Sequence, residues 1–379
     1  MGYRAGITDK EKQSDRGGWK GKLLGAVLLA VLLALGASAC GDSASGGSTS
    51  AEGTGKVVGA GSTTQEVAQE HWVSEYFLGP KDVTVSYEPV GSYEGVARFL
   101  AGDVGFAASD IPLAGRQLGE AAARCKPGQP IEIPVYISPL EVAYNLHSTG
   151  MFLSPETLVK IFNGEISRWD DIVIRRQNPT ISSIGLPKKL PIVPVYRAGE
   201  SAATQIFSEY LSSMAPDAWG DEASPVWPLK NGRAAEGTKG EVEAIFAREG
   251  AVGYVDGSQR STLGVVWAKV GPGYVQPSAA SAATSFAHAT EEKSLSANPY
   301  MLPFKIDRKG SPGAYPMTVV SYLVACTKYG SAREAAAIKG YLRYVVSDEG
   351  QQAVAQAAGS VPLPASLRPR VRAAVDAIE

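Results

Sequence analysis

Three times along this chain a short apolar run ends in a turn of small and hydroxyl-bearing residues that opens an amphipathic stretch. The turns are GAGSTT (59–64), VGSYEG (90–95) and YRAGESAAT (196–204). At a strand-to-helix junction the first helical N–H groups lack an intrahelical acceptor and the positive end of the helix dipole lies beside them, so negative charge is welcome there. One such turn is only a helix cap. Three of them, the last carrying Arg197, point to a cradle for a small oxyanion.

The stretches around these turns alternate in period. Runs 57–61, 83–91, 104–109, 131–138, 140–146, 191–197, 251–255 and 317–326 read as strands; 64–76, 93–101, 155–163, 202–213, 240–248, 332–346 and 350–358 read as helices. Strand followed by helix, repeated, predicts an α/β fold with its sheet covered on both faces. A chain of 379 residues exceeds what one core usually supports, which favours two lobes.

Charge and motif content exclude several function classes. With 36 Lys and Arg against 38 Asp and Glu there is no broad basic surface for nucleic acid. Cys40, Cys125, Cys326, His71, His147 and His288 are scattered, without CxxC or HExxH, so neither a metal site nor a cofactor is expected. GAGSTT lacks the GK[ST] of a nucleotide loop, and GSYEG has its Ser in the second place, unlike a nucleophile elbow. An exported phosphate-ester hydrolase would need an activated nucleophile or a metal, and the sequence offers neither. The chain is expected not to be an enzyme.

The N-terminus is an address. Lys20 and Lys22 precede the apolar run 23–36, followed by Ala37, Ser38, Ala39 and then Cys40. A positive flank, an apolar run and a small-residue cleavage site make residues 1–39 an export signal, and Cys40 stands where bacterial lipoproteins are cut and acylated. An uncleaved anchor and plain secretion are the alternatives. All three place the remainder outside the cytoplasm. Residues 40–56 hold no large apolar side chain after the cysteine, so they read as a flexible tether. Losing residues 1–39 leaves 30 basic against 35 acidic side chains, so any anion must be drawn by local geometry. In that compartment Cys125 and Cys326 are either bridged or two buried thiols.

Several segments together resemble a known family: GAGSTT, GDVGFAASDIPL (102–113), IFNGEISRWDDI (161–172), PVYRAGES (194–201), EGAVGYV (249–255), AYPMT (314–318) and GSVPLP (359–364). In this order they resemble the phosphate-binding proteins that feed the phosphate-specific ABC importer of bacteria, in their actinobacterial lipoprotein branch. The resemblance implies a two-lobed Venus-flytrap fold with a two-stranded hinge and a discontinuous first lobe, residues 57–137 plus 316–379, with 138–315 as the second. It places Cys125 and Cys326 in one lobe, which favours a disulfide. It implies inorganic phosphate as ligand, the importer's permease and ATPase subunits as partners, a lipid anchor at Cys40 on the extracytoplasmic face, and a monomer.

Residue by residue, the resemblance assigns the ligand to the Thr63 hydroxyl and N–H, the Thr64 N–H, the Ser92 hydroxyl, the Asp110 carboxylate, the Arg197 guanidinium, the Ser201 hydroxyl and the backbone at Ala202 and Ala203. The chemistry is coherent: Arg offers a planar fork to tetrahedral oxygens, and a carboxylate tolerates phosphate only through a shared proton, which sulfate lacks. Where the family carries an acidic residue and a Gly-Thr pair after the Arg, this chain has Gly199, Ala202 and Ala203. Glu200 is then the nearest acidic residue to orient the guanidinium, and one hydroxyl donor is lost unless Thr204 turns inward. Another tetrahedral oxyanion and a non-transport surface lipoprotein are the rival readings. Asp110 argues against both.

Overall fold

The structure, a computed structural model, describes residues 55–79, 83–146, 150–184 and 186–379. The export signal, Cys40, residues 41–54 of the tether and His147 lie outside them.

The chain begins with alternating strands and helices: β1 (Gly55–Gly61), α1 (Glu66–Phe77), β2 (Val83–Glu88), α2 (Ser92–Ala101), β3 (Phe106–Ser109) and α3 (Arg116–Arg124). β1 lies between β2 and β3, parallel to both, as short crossovers through helices require. α2 packs very close to the end of β1. A Cβ on Gly95 would stand 2.2 Å from the Gly61 Cα, so only glycine lets the first two anion turns lie side by side.

β4 (Pro130–Tyr144) is one strand where the sequence suggests two, 131–138 and 140–146. Pro139 interrupts the pattern without ending the strand, because it stands where the strand changes neighbours. Up to Pro139 the partner is β13 (Thr318–Cys326), and from Leu140 it is β8 (Ala251–Asp256), both antiparallel. A missing N–H does little harm at such a changeover.

Between β4 and β8 run β5 (Gly150–Leu153), α4 (Pro155–Phe162), α5 (Ile172–Gln177), α6 (Pro179–Ile184), β6 (Val193–Arg197), α7 (Ala202–Met214), α8 (Pro216–Trp219), β7 (Arg233–Ala235) and α9 (Gly237–Phe246). Then come β9 (Gly264–Val270), β10 (Gly273–Val275), α10 (Ala279–Ala287), β11 (Thr290–Glu291) and β12 (Phe304–Lys305), and after β13 α11 (Ala332–Val345), α12 (Asp348–Ala358) and α13 (Arg368–Asp376). The main sheet is ordered β2-β1-β3-β13-β4-β8-β6-β7, with β9 joining β4, β5 and β10; β11 and β12 form a separate pair.

Two large apolar cores flank the changeover. One gathers Trp72, Phe106, Ile131, Ile133, Leu323 and Tyr341; the other gathers Leu158, Phe162, Trp169, Phe207, Trp227 and Tyr254. β4 passes from the first, through Ile137, to the second, at Leu140, and β13 passes back, with Val319 in the second core and Val320 in the first. These two strands are the hinge of a two-lobed α/β fold. Residues 279–306, expected with the second lobe, pack on the first: Ala282, Phe286, Leu302 and Ile306 are buried in its core. The Ala- and Ser-rich α10 is not read from the sequence because its apolar positions are small. A capping box between Ser278 and Ser281 starts it all the same.

Cys125, just after α3, is bonded to Cys326 at the end of β13, with Cα atoms 5.2 Å apart. The bridge lies in a small apolar cluster with Phe99, Leu113 and Val324, so burial adds to the covalent constraint. It joins positions 201 residues apart, and in the chain-entropy account closing so long a loop is worth on the order of 5 kcal/mol. Replacing both cysteines by Ser should lower the denaturant midpoint of the oxidised protein and make it insensitive to reductant; thermal or urea melts with and without reductant check this.

Candidate functional site

The first turn follows β1 and is pinned to β3, with the Ser62 N–H donating to the Ala108 carbonyl at 2.9 Å. The Ser62 and Thr64 hydroxyls both donate to Asp110 Oδ2, and the Ser321 hydroxyl donates to Oδ1 at 2.8 Å. The Asp110 N–H in turn donates to Ser92 Oγ at 3.2 Å, which leaves the Ser92 hydroxyl proton free to donate elsewhere. Asp110 is thus a buried carboxylate wrapped by hydroxyls from β1's turn and from the hinge strand. Burial pushes its pKa up; those hydroxyls pull it back by favouring the charged form.

Thr64 departs from its expected role. Its N–H donates to Ser62 Oγ at 3.1 Å and its hydroxyl serves Asp110, so it orders the carboxylate rather than facing the cradle. Thr63 faces the other way, toward the second lobe.

Arg197 ends β6 and is buried, its N–H donating to the Tyr254 hydroxyl at 3.3 Å. One guanidinium nitrogen, Nη2, donates to Thr63 Oγ1, and the other, Nη1, to Thr238 Oγ1 at 3.0 Å. Gln259 Nε2 reaches the Thr63 carbonyl at 2.8 Å. Contacts therefore cross the cleft at one residue, Thr63, and a further one joins the Tyr93 hydroxyl on α2 to Gln205 Oε1 on α7.

The carboxylate beside Arg197 is Glu241, not Glu200. Glu241 Oε2 lies 3.8 Å from Arg197 Nη1, while Glu200 is exposed and makes an isolated bridge with Val226. Glu241 is fully buried; Oε1 accepts the Tyr254 N–H at 3.0 Å, and Oε2 has no hydrogen-bond partner among the described residues. Burial raises its pKa to about 8, against the pull of the Arg197 charge and of that N–H. A residue one turn into α9 reaches the guanidinium because α9 follows β7, the parallel neighbour of β6.

The third turn keeps its cap but not its hydroxyl count. Ser201 caps α7, accepting the Thr204 N–H at 3.4 Å, and Ala202 and Ala203 fill the first turn, where N–H groups have no intrahelical acceptor. Thr204 does not turn inward: it is fully buried, with its hydroxyl 2.8 Å from that of Tyr254. Thr63, Arg197, Ser201 and Thr238 line one cavity of about 510 Å³, and Asp110 lines another of about 480 Å³ with Tyr93 and Arg308; the two have no lining residue in common.

Comparison with known proteins gives this geometry a family. A model of the PBP superfamily domain matches residues 46–349. Phosphate-binding protein PstS2 of Mycobacterium bovis is 30% identical over 363 residues, covering 90% of this chain and 94% of the relative. The chain belongs to the PstS family. Among solved structures, a high affinity periplasmic phosphate-binding protein bound with phosphate aligns with a TM-score of 0.67 at 22% identity, covering 84% of this chain and 93% of the other. A phosphate-binding protein from Stenotrophomonas maltophilia aligns at 0.63 and 20%, with the same coverage. At such identities these two likenesses speak for the fold.

Within this PstS-family chain the sequence reading misses Ser62, Ser321, Thr238, Glu241 and Gln259. Thr238 and Glu241 carry a readable signal, since a spacing of three puts both on one face of α9. A carboxyl whose pKa is higher folded than unfolded binds extra protons in the native state, so its contribution to stability falls as pH rises from about 4.5 through about 8. Glu241→Gln keeps an acceptor for the Tyr254 N–H and should flatten part of that decline. Denaturant midpoints across the range check it, and an unchanged slope means the carboxylate stays ionised against Arg197 throughout.

Proposed function

We propose that this chain is an extracytoplasmic receptor whose two lobes close on inorganic phosphate and present it to the permease of an ABC importer. The observation that carries this reading is the meeting of the Thr63 hydroxyl and the Arg197 guanidinium across the cleft, beside the N-terminus of α7. An Arg fork with neutral hydroxyl and amide donors disperses anionic charge without adding cations. The names of the relatives, phosphate-binding proteins, support the same ligand.

The proposed ligand groups are the Thr63 hydroxyl, the Ser92 hydroxyl, Asp110, Arg197, the Ser201 hydroxyl and the N–H groups of Ala202 and Ala203. Thr64 serves through Asp110. In this reading Asp110 selects for a protonated anion: it accepts a proton-bearing oxygen, and against fully ionised sulfate it would forfeit a charge-assisted hydrogen bond of about 1.5–3 kcal/mol and add repulsion. The first lobe comprises residues 57–137, the α10–β12 segment and 316–379, and the remainder forms the second. Export with acylation at Cys40 tethers a monomer to the outer face of the membrane, and the protein carries out no chemistry on its ligand. Closing the cleft excludes water and makes the closed form the one the permease recognises.

Isothermal calorimetry with phosphate, arsenate and sulfate tests this on the chain from residue 55 onward. Phosphate and arsenate should bind and sulfate should not, and no binding of phosphate sinks the reading. Arg197→Ala should abolish phosphate binding. Asp110→Asn should relax the rejection of sulfate; a variant that still excludes sulfate as before would place selectivity elsewhere.

A further inference from the structure

The third turn of this site offers no hydroxyl at positions 202 and 203, and another hydroxyl stands close to Thr63 and Arg197. Ala202 and Ala203 have no hydroxyl to offer, and Thr204 commits its own to Tyr254 behind the cleft wall. Thr238 stands at the opening of α9, fully buried, with its hydroxyl 3.0 Å from Thr63 Oγ1 and 3.0 Å from Arg197 Nη1. Its N–H points the same way, donating to Thr63 Oγ1 at 3.2 Å. Thr238 therefore touches both groups on which the anion reading rests, from a segment 175 residues away from Thr63.

The hydroxyl is not spent on its own helix. α9 is preceded by Glu236 at the cap position, which makes no side-chain cap, and Thr238 is already inside the first turn. Gly237 brings it there with φ +62°, a left-handed conformation that a side chain would strain, and a Cβ on Gly237 would meet the Thr63 methyl at 3.4 Å. Glu241, one turn further along α9, backs the guanidinium that Thr238 contacts. Thr238, Thr63 and Arg197 line one cavity together, so an anion held there by the Thr63 hydroxyl and the Arg197 fork has the Thr238 hydroxyl beside the same space.

We propose that Thr238 is a direct ligand of the bound anion, its hydroxyl at the start of α9 replacing the donor that Ala203 lacks. This rests on the phosphate reading above and adds the start of α9 to the three turns and Asp110. The test is calorimetry with inorganic phosphate on the wild-type chain and on Thr238→Val, Thr238→Ala and Thr238→Ser, with melts of each protein in the absence of phosphate. The Val and Ala variants should bind about tenfold to a hundredfold more weakly, as loss of a hydrogen bond to a charged group implies, and the Ser variant should restore most of the affinity. Phosphate affinity retained in Thr238→Val or Thr238→Ala overturns the proposal while leaving the phosphate reading intact. So does a loss that Thr238→Ser fails to repair, which marks a packing role for the methyl group. Wild-type protein that does not bind phosphate overturns both.

Discussion

A guanidinium taken out of water must be met by acceptors on every side, and the architecture around Arg197 is arranged to meet it. β6 delivers the side chain to the cleft floor, α9 brings the Thr238 hydroxyl and the Glu241 carboxyl, and Thr63 arrives from the opposite lobe. None of these segments is adjacent in sequence. Without the parallel pairing of β6 with β7, α9 would start elsewhere and the guanidinium would lose both the Thr238 acceptor and its Glu241 neighbour.

The opposite lobe presents an inverse arrangement, a buried acceptor ringed by donors. Asp110 is hydrogen-bonded by hydroxyls from the β1 turn and by Ser321 on β13. Ser321 lies two residues past Val319, the last β13 position in the second core, and the register of β13 with β4 shifts between Ser321 and Tyr322. The acceptor is thus suspended from the strand about which the lobes are joined. Asp256, on the strand that takes over β4 beyond Pro139, accepts the Ser138 hydroxyl at 2.9 Å, so polar contacts mark both sides of the changeover.

Much of this was legible in the residues. The three strand-to-helix turns, with Thr63, Ser92, Arg197 and Ser201 on them, stand out because small residues and hydroxyls break an apolar pattern, and the helices α2, α4, α7, α9, α11 and α12 follow from amphipathic spacing, whereas α1 is marked mainly by the turn that opens it. Asp110 needed the resemblance, since AASD by itself is an ordinary turn. What stayed hidden is non-local. Pro139 looks like a strand end until β4 is seen to exchange partners there. α10 has small apolar positions that give no clear periodicity, and it joins the first core from a segment the linear order assigns to the second. Glu200 is the obvious orienting carboxylate by proximity in sequence, and Glu241 takes that place because sheet order, not chain order, decides which side chain reaches the guanidinium. Thr238 is hidden for the same reason.

The bond between Cys125 and Cys326 has a topological consequence. The second core draws all its residues from between those two positions, so that lobe is a closed covalent ring hung on the other, whose halves before and after the ring are stapled together at its neck. Cleavage of a single peptide bond anywhere within the ring opens it to a linear molecule without shedding a fragment. A protease that nicks an exposed loop of that lobe therefore leaves both pieces joined as one molecule until a reductant arrives.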